Sequence, residues 1–266
     1  MKQWYQPDLL DNRVAAVVGG SGGVGYVVAR SLAQVGARPV LLARREDALG
    51  QATSALADEG LDADWLPLDV RDDAAVESAF ADIEDRFGSI DLLVNSAGGQ
   101  FPSKAEAISA KGWRSVIDLN LNGLFYCCQA AGRRMIDAGG GAILNVGNSL
   151  IDRSTPGIAH SGAAKAGVSH LTRSLAHEWA PFGVRVNALG PQYLSDAAGE
   201  QYGAALRSAI TRATPMGRYG SGDEIGAAAV YLLSELSGYT TGMTLHVDGG
   251  AWMAEGFNFR TMLEEM

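Results

Sequence analysis

Cysteine is scarce: the 266 residues hold two, and they are neighbours, Cys127 and Cys128. Adjacent cysteines make a poor disulfide, so a scaffold stapled by disulfides is excluded. No Cys or His spacing suits a metal, and none is expected. These absences point to a reducing compartment, the cytoplasm. Positive charge is also short. Lys and Arg number 21 against 30 Asp and Glu, a net charge of −9, and no basic run offsets it. Such a balance argues against a nucleic-acid or anionic-membrane partner. No apolar run of about 18 residues is present, so no membrane-spanning helix is expected. Met1 to Asp11 is polar and lacks the apolar core of a signal segment.

What remains is 47% hydrophobic and 19% charged, the balance of a compact globular chain. We see no internal repeat, low-complexity linker or domain boundary. One domain is expected over residues 1–266, with its core at about 11–250 and a tail at 251–266 that carries Trp252, Phe257 and Phe259.

Strand and helix patterns alternate. Strands are expected at Val14–Val18, Pro39–Ala43, Asp64–Leu68, Asp91–Val94, Ala142–Val146, Val184–Leu189 and Thr244–Val247. Helical patterns fall at Tyr26–Leu32, Glu46–Glu59, Ala74–Phe87, Ile108–Ala138, Gly157–Pro181 and Asp223–Leu236, with a helical insert at Ala197–Ala213. The alternation specifies parallel pairing. The expected fold is α/β: a single-domain Rossmann fold, with a doubly wound, parallel, seven-stranded sheet and helices on both faces.

The first strand ends in Gly19-Gly20-Ser21-Gly22-Gly23-Val24-Gly25. A buried strand, a glycine turn and a helix are the parts of a dinucleotide site: glycine lets the backbone approach a pyrophosphate, and the helix start offers free N–H groups. Arg44 and Arg45 follow the second strand, where the adenosine ribose would lie. Guanidinium binds phosphate in a bidentate way, so this pair favours NADP(H) over NAD(H); the bland reading is a solvated charge pair beside Glu46 and Asp47. Asn95, Asn148 and Ser149 sit at carboxyl ends of strands, where ligands of doubly wound sheets bind. Asn120 lies among Val116, Leu119, Leu124 and Phe125, and a polar group on an apolar face needs a partner. Ser161 and Lys165 are one helical turn apart on one face.

In this order the motifs resemble the short-chain dehydrogenase/reductase family over about Asp11 to Gly250. The family's TGxxxGxG appears as Val18-Gly19 through Gly25, with valine for threonine, and its NNAG as Asn95-Ser96-Ala97-Gly98. Its acidic residue at the adenine matches Asp69, its catalytic asparagine Asn120 and its lysine Lys165. The resemblance implies nucleotide contacts from Gly19, Ser21, Gly22, Gly23, Val24, Gly25, Arg44, Arg45, Asp69, Val70, Asn95, Ala97, Gly98, Lys165, Pro191, Leu194 and Ser195. It also implies a homotetramer or homodimer formed through the long helices at Lys111–Ala138 and Gly157–Pro181.

The departures from the family lie at the chemistry. Counted from Lys165, the family's tyrosine position holds Ser161 and its serine position Asn148, with Ser149 next door. Glycine is lost from the family's proline–glycine pair, here Pro191-Gln192, which adds bulk near the expected cofactor. A phenol has a pKa near 10 that an ammonium can bring into range; an aliphatic hydroxyl is a far weaker acid. Carbonyl reduction should suffer from the exchange. Reduction of an activated C=C bond passes through an enolate, which donors such as Ser161, Asn148 or Ser149 can hold without giving up a proton.

One branch of the family, the peroxisomal-type trans-2-enoyl-CoA reductases and their dienoyl-CoA relatives, also lacks this tyrosine. Gly98-Gly99-Gln100-Phe101, Ser109-Ala110-Lys111-Gly112-Trp113, His160-Ser161-Gly162-Ala163-Ala164 and Leu175-Ala176-His177-Glu178-Trp179 are similar to it. The resemblance therefore implies an NADPH-dependent enoyl reductase with an atypical active site, acting on a coenzyme A or carrier-protein thioester or a related enone. The alternatives are a carbonyl or alcohol oxidoreductase and an NADP-binding protein without redox chemistry. Tyr193 is either a substitute proton donor or an aromatic wall of the substrate pocket. His160 is either a helix-start residue facing solvent or a backbone carbonyl, or a contact to substrate or phosphate.

Overall fold

The computed structural model describes residues 5–147, 156–192, 208 and 210–253. Asn148, Ser149, Tyr193, Leu194, Ser195, most of the insert expected at 197–213 and most of the tail at 251–266 lie outside the described residues.

Seven parallel strands form one sheet in the order β3-β2-β1-β4-β5-β6-β7. They are β1 (Val14–Val18), β2 (Arg38–Ala43), β3 (Asp64–Pro67), β4 (Leu92–Asn95), β5 (Gly141–Val146), β6 (Val184–Pro191) and β7 (Thr244–Val247). The helices that accompany them include α1 (Gly23–Ala33), α2 (Glu46–Asp58), α3 (Asp73–Phe87), α4 (Ala110–Ile117), α5 (Gly123–Ala138), α6 (Ala159–Trp179) and α7 (Gly222–Leu233). The order reverses between β1 and β4, where a crevice opens beyond the strand ends.

Period-two alternation along each strand splits the core into two layers. Val14, Ala16 and Val18 of β1 pack with Phe80 and Ile83 of α3, Met135 of α5 and Val168 of α6. Ala15 and Val17 face the opposite layer, with Leu32 of α1, Leu49 and Leu56 of α2, and Ile225 of α7. Both faces of the central strands are covered, which explains their continuous apolar sequence.

Caps set several boundaries. The Asp72 side chain accepts from Ala75 N–H at the start of α3, and Gly88 ends it with φ 82°. Ser221 and Glu224 form a reciprocal capping box on α7. That helix stops at Leu233, short of the expected Leu236, because Ser234 is extended. The single helix expected at 108–138 is a second correction. It begins at Ala110, capped by Ser109, and is broken by a wider, π-type turn at Asp118–Asn122. Such a bulge inserts an extra residue without ending the helix, and apolar spacing barely registers it.

α5 and α6 come close at Gly132, where a Cβ would stand 2.5 Å from the Trp179 ring. We expect Gly132→Ala to destabilise the fold by about 1–3 kcal/mol through overpacking. Urea unfolding measures this, and an unchanged midpoint would contradict the close approach.

Candidate active site

The crevice is a cavity of about 700 Å³ on the carboxyl side of β1, β2, β4 and β5. Its floor is the turn between β1 and α1. Gly19 has φ 82° and donates to the Leu42 carbonyl at 2.7 Å. A Cβ there would lie 2.6 Å from the Ala97 nitrogen, so only glycine lets the turn press against the chain leaving β4. Gly25 is buried inside α1 rather than on the cavity wall. A Cβ on it would meet the Gly19 carbonyl oxygen at 2.3 Å, and its bareness seats the helix on the turn. Gly22 and Gly23 face open space, and the first turn of α1 has neither a side-chain cap nor an acidic residue. Its first N–H groups thus face no competing side chain, an arrangement that could hold an anion.

Arg44 and Arg45 line the adenosine end and are exposed, Arg45 making a loose 3.9 Å pair with Asp47. Asp69 and Val70 line it too. Arg71, which sequence reading missed, donates from its side chain to both Asp69 carboxylate oxygens and from its backbone to one. These bonds hold the Asp69 carboxyl down at about 2. The signal was present in the two-residue spacing, which an Asp side chain bridges readily.

At the other end of the cavity stand Asn120, Ser161 and Lys165, with Ala97, Gly98 and Gln100 from the chain after β4. Asn120 sits in the π-type turn, which rolls its side chain inward. Its Nδ2 donates to the Gly99 and Val116 carbonyls at 2.8 Å each, and its Oδ1 accepts from Gly99 N–H at 3.3 Å. Asn120 is thus a satisfied structural amide that also lines the cavity. Lys165 donates to the Val146 carbonyl at 3.1 Å. Lys165 is half-buried and lines the cavity, and desolvation by the surrounding protein lowers its pKa from 10.5 to about 8. Ser161 lines the same cavity.

Besides Gly25, two expected cofactor residues, Asn95 and Pro191, stand apart from the cavity lining. Asn95 is buried in a polar chain across the α5–α6 side of the sheet: its Nδ2 donates to Asn145 at 3.0 Å and to Cys128 Sγ at 3.2 Å, and Asn145 donates to Thr172 at 3.0 Å. The side chain of a strand-end residue points to a sheet face, and here that face is core. Pro191 is buried at the end of β6. Gln192 does not fill the cavity as its bulk suggested; its Oε1 accepts from the Thr214 hydroxyl at 3.1 Å. His160 is fully buried rather than solvent-facing. Its Nδ1 accepts from Ser161 N–H at 2.7 Å, and its ring meets Phe101 edge-on at 4.5 Å between centroids. Among the described residues no group of His, Cys, Asp or Glu could hold a metal, and no helix is long and apolar enough to cross a membrane.

Residues 18–251 match a family model described as enoyl-(acyl carrier protein) reductase. The chain is similar to the (2E)-enoyl-CoA-producing probable 2,4-dienoyl-CoA reductase of Bacillus subtilis (strain 168), 34% identical over 92% of this chain and 98% of that protein. It is also similar to gluconate 5-dehydrogenase of Gluconobacter oxydans (strain 621H), 38% identical over 92% of this chain and 97% of the relative. Among solved structures it resembles a gluconate 5-dehydrogenase from Burkholderia cenocepacia J2315 in complex with NADP and tartrate. The TM-score is 0.88 and the identity 35%, over 94% of this chain and 99% of the other.

The buried ammonium yields a prediction for nucleotide-free protein. Lys165 is depressed in the folded state, so between pH 8 and 10.5 the unfolded chain binds more protons and stability rises with pH. Below pH 8 the burial penalty is fully present. Lys165→Met should therefore be more stable than the parent at pH 7, by at most about 3 kcal/mol, and lose that advantage as pH rises toward 10.5. Urea midpoints across this range test it; a difference that does not change with pH would refute the depressed ammonium.

Proposed function

The chain belongs to the short-chain dehydrogenase/reductase family, and from that premise we propose that it is an NADPH-dependent reductase of an activated C=C bond, an enoyl thioester or related enone. It is an NAD(P)-dependent oxidoreductase. The observation that carries the finer reading is Ser161: a hydroxyl, not a phenol, shares the cavity with Lys165.

The residues present fit a phosphorylated dinucleotide. The bare N-terminus of α1 suits a pyrophosphate, and the exposed Arg44 and Arg45 suit a 2′-phosphate. Asp69, held ionised by Arg71, suits the adenine amino group, and Lys165 the nicotinamide ribose. When bound, such a cofactor supplies a hydride to the β-carbon of the substrate. The protein must then hold the negative charge that moves to the carbonyl oxygen. Ser161 donates a hydrogen bond to that oxyanion, joined by Asn148 or Ser149, which lie outside the described residues. An aliphatic hydroxyl need not ionise for this role. Asn120 fixes the Gly98–Gln100 wall against which the substrate rests. The α-carbon takes its proton from water or from another side chain, Tyr193 being one candidate. A coenzyme A or carrier-protein thioester is the substrate class of this reading, and a homodimer or homotetramer its assembly.

The gluconate 5-dehydrogenases among the relatives favour a second reading, oxidation and reduction at a hydroxyl or carbonyl, with Tyr193 or water as the acid. Substrate profiling separates the two. An enoyl thioester whose C=C is consumed with NADPH supports the first; an alcohol product with the C=C intact supports the second.

Two variants test the residues. Ser161→Ala should lower turnover of the enoyl thioester by roughly ten- to a thousand-fold, the range for losing an oxyanion donor; full activity removes Ser161 from the mechanism. Arg44→Ala with Arg45→Ala should weaken NADPH binding at least about ten-fold and leave NADH binding nearly unchanged. Equal weakening of both nucleotides in calorimetry would show that the arginines do not read the 2′-phosphate.

A further inference from the structure

His160 precedes Ser161 in the first turn of α6, and no step above uses it. Its imidazole is fully buried. The Ser161 backbone N–H points at Nδ1, 2.7 Å away, so Nδ1 must carry the lone pair. In the neutral ring the proton then sits on Nε2. That nitrogen is also buried, and among the described residues it has no hydrogen-bond partner. A buried donor left without a partner is destabilising. The ring is covered by Phe101, a partly exposed residue of the chain after β4. That chain carries Gly98, Gly99 and Gln100 on the cavity wall and is fastened to the approach to α6 by a bond from Ser103 N–H to the Gly157 carbonyl.

We infer that His160 is a substrate-binding residue: its Nε2–H donates to an acceptor oxygen of the bound substrate, which displaces the Phe101 ring that covers it in the free protein. An unmet donor favours any state that pairs it. Neighbouring Ser161 lines the cavity and Phe101 follows its Gly98–Gln100 wall, so the covered ring lies at the border of the cavity, where an acceptor held by Ser161 would be offered to it. On the reading above this acceptor is the thioester carbonyl oxygen, and the inference rests on that reading for its identity. His160 holds the oxygen before the hydride arrives as well as after, so it governs substrate affinity more than turnover.

Two substitutions separate the roles of the imidazole. His160→Asn keeps an acceptor near Nδ1 for the Ser161 N–H and removes the Nε2 donor. His160→Gln extends a donor to the Nε2 position and gives up the near acceptor. With a short-chain enoyl thioester and NADPH, His160→Asn should raise KM about 5- to 100-fold, the loss expected for one buried hydrogen bond, with a smaller change in kcat. His160→Gln should restore most of the affinity. NADPH affinity, measured by fluorescence, should stay within about two-fold in both, since His160 is not part of the nucleotide cavity. A merely structural histidine gives the other pattern: KM unchanged in His160→Asn, and differences confined to the melting temperature. That result overturns the inference. If the parent protein leaves enoyl thioesters untouched but turns over a ketone or polyol, the C=C reading fails on its own, and the same KM comparison with that substrate decides the role of His160.

Discussion

Much of this site hangs on one grip, the side-chain amide of Asn120 on the backbone of Gly99. Both edges of the Gly99 peptide environment, its N–H and its carbonyl, are taken by a single side chain. The residue that makes the grip sits in the π-type turn, where the helical register is widened. The grip in turn fixes Gly98, where a Cβ would meet Asn120 Oδ1 at 2.9 Å, and the chain that runs on to Phe101 and Ser103. Lys165 approaches from the opposite side, tied to Val146 at the end of β5. Two helices and two strands thus converge on a few atoms, and the core packing behind them leaves little freedom to drift.

The two ends of the cavity differ in kind. The adenosine end is built from backbone and surface charge: a bare helix start, two exposed arginines and a carboxylate pinned by Arg71. Recognition there tolerates motion, because charges act over distance. The other end is more enclosed, with the Lys165 ammonium held against the Val146 carbonyl and the Asn120 amide against Gly99. Fixed geometry of this kind is what a site that must place reacting atoms closely needs.

Most of the fold was legible in the chain. The alternation of strand and helix gave the sheet, and β1 and β7 fall at the residues the pattern marks. Gly19, Gly22 and Gly23 of the glycine turn, Arg44, Arg45, Asp69, Asn120, Ser161 and Lys165, marked in the sequence by pattern or by resemblance, line one cavity. The π-type turn was not legible, since one inserted residue leaves a helical pattern almost intact. The destination of Asn95 was hidden because a strand-end residue may serve the crevice or the core, and only the pleat decides. Gln192 misled through its bulk: a side chain of that length chooses among partners in space, and Thr214 is one that sequence distance conceals. Arg71 escaped notice because an arginine two residues past an aspartate is usually solvated.

The paired cysteines behave as something other than chemistry. Both are fully buried residues of α5, and burial pushes the Cys128 thiol up to about 12 and that of Cys127 well above its ordinary value. A thiol reacts as its thiolate and only where a reagent can reach it, so the native state silences both. Modification must wait for the layer between the sheet and α5 to open. The molecule thus carries an internal clock: the rate at which a thiol reagent consumes these two groups reports how often this half of the core comes apart, whatever the site is doing.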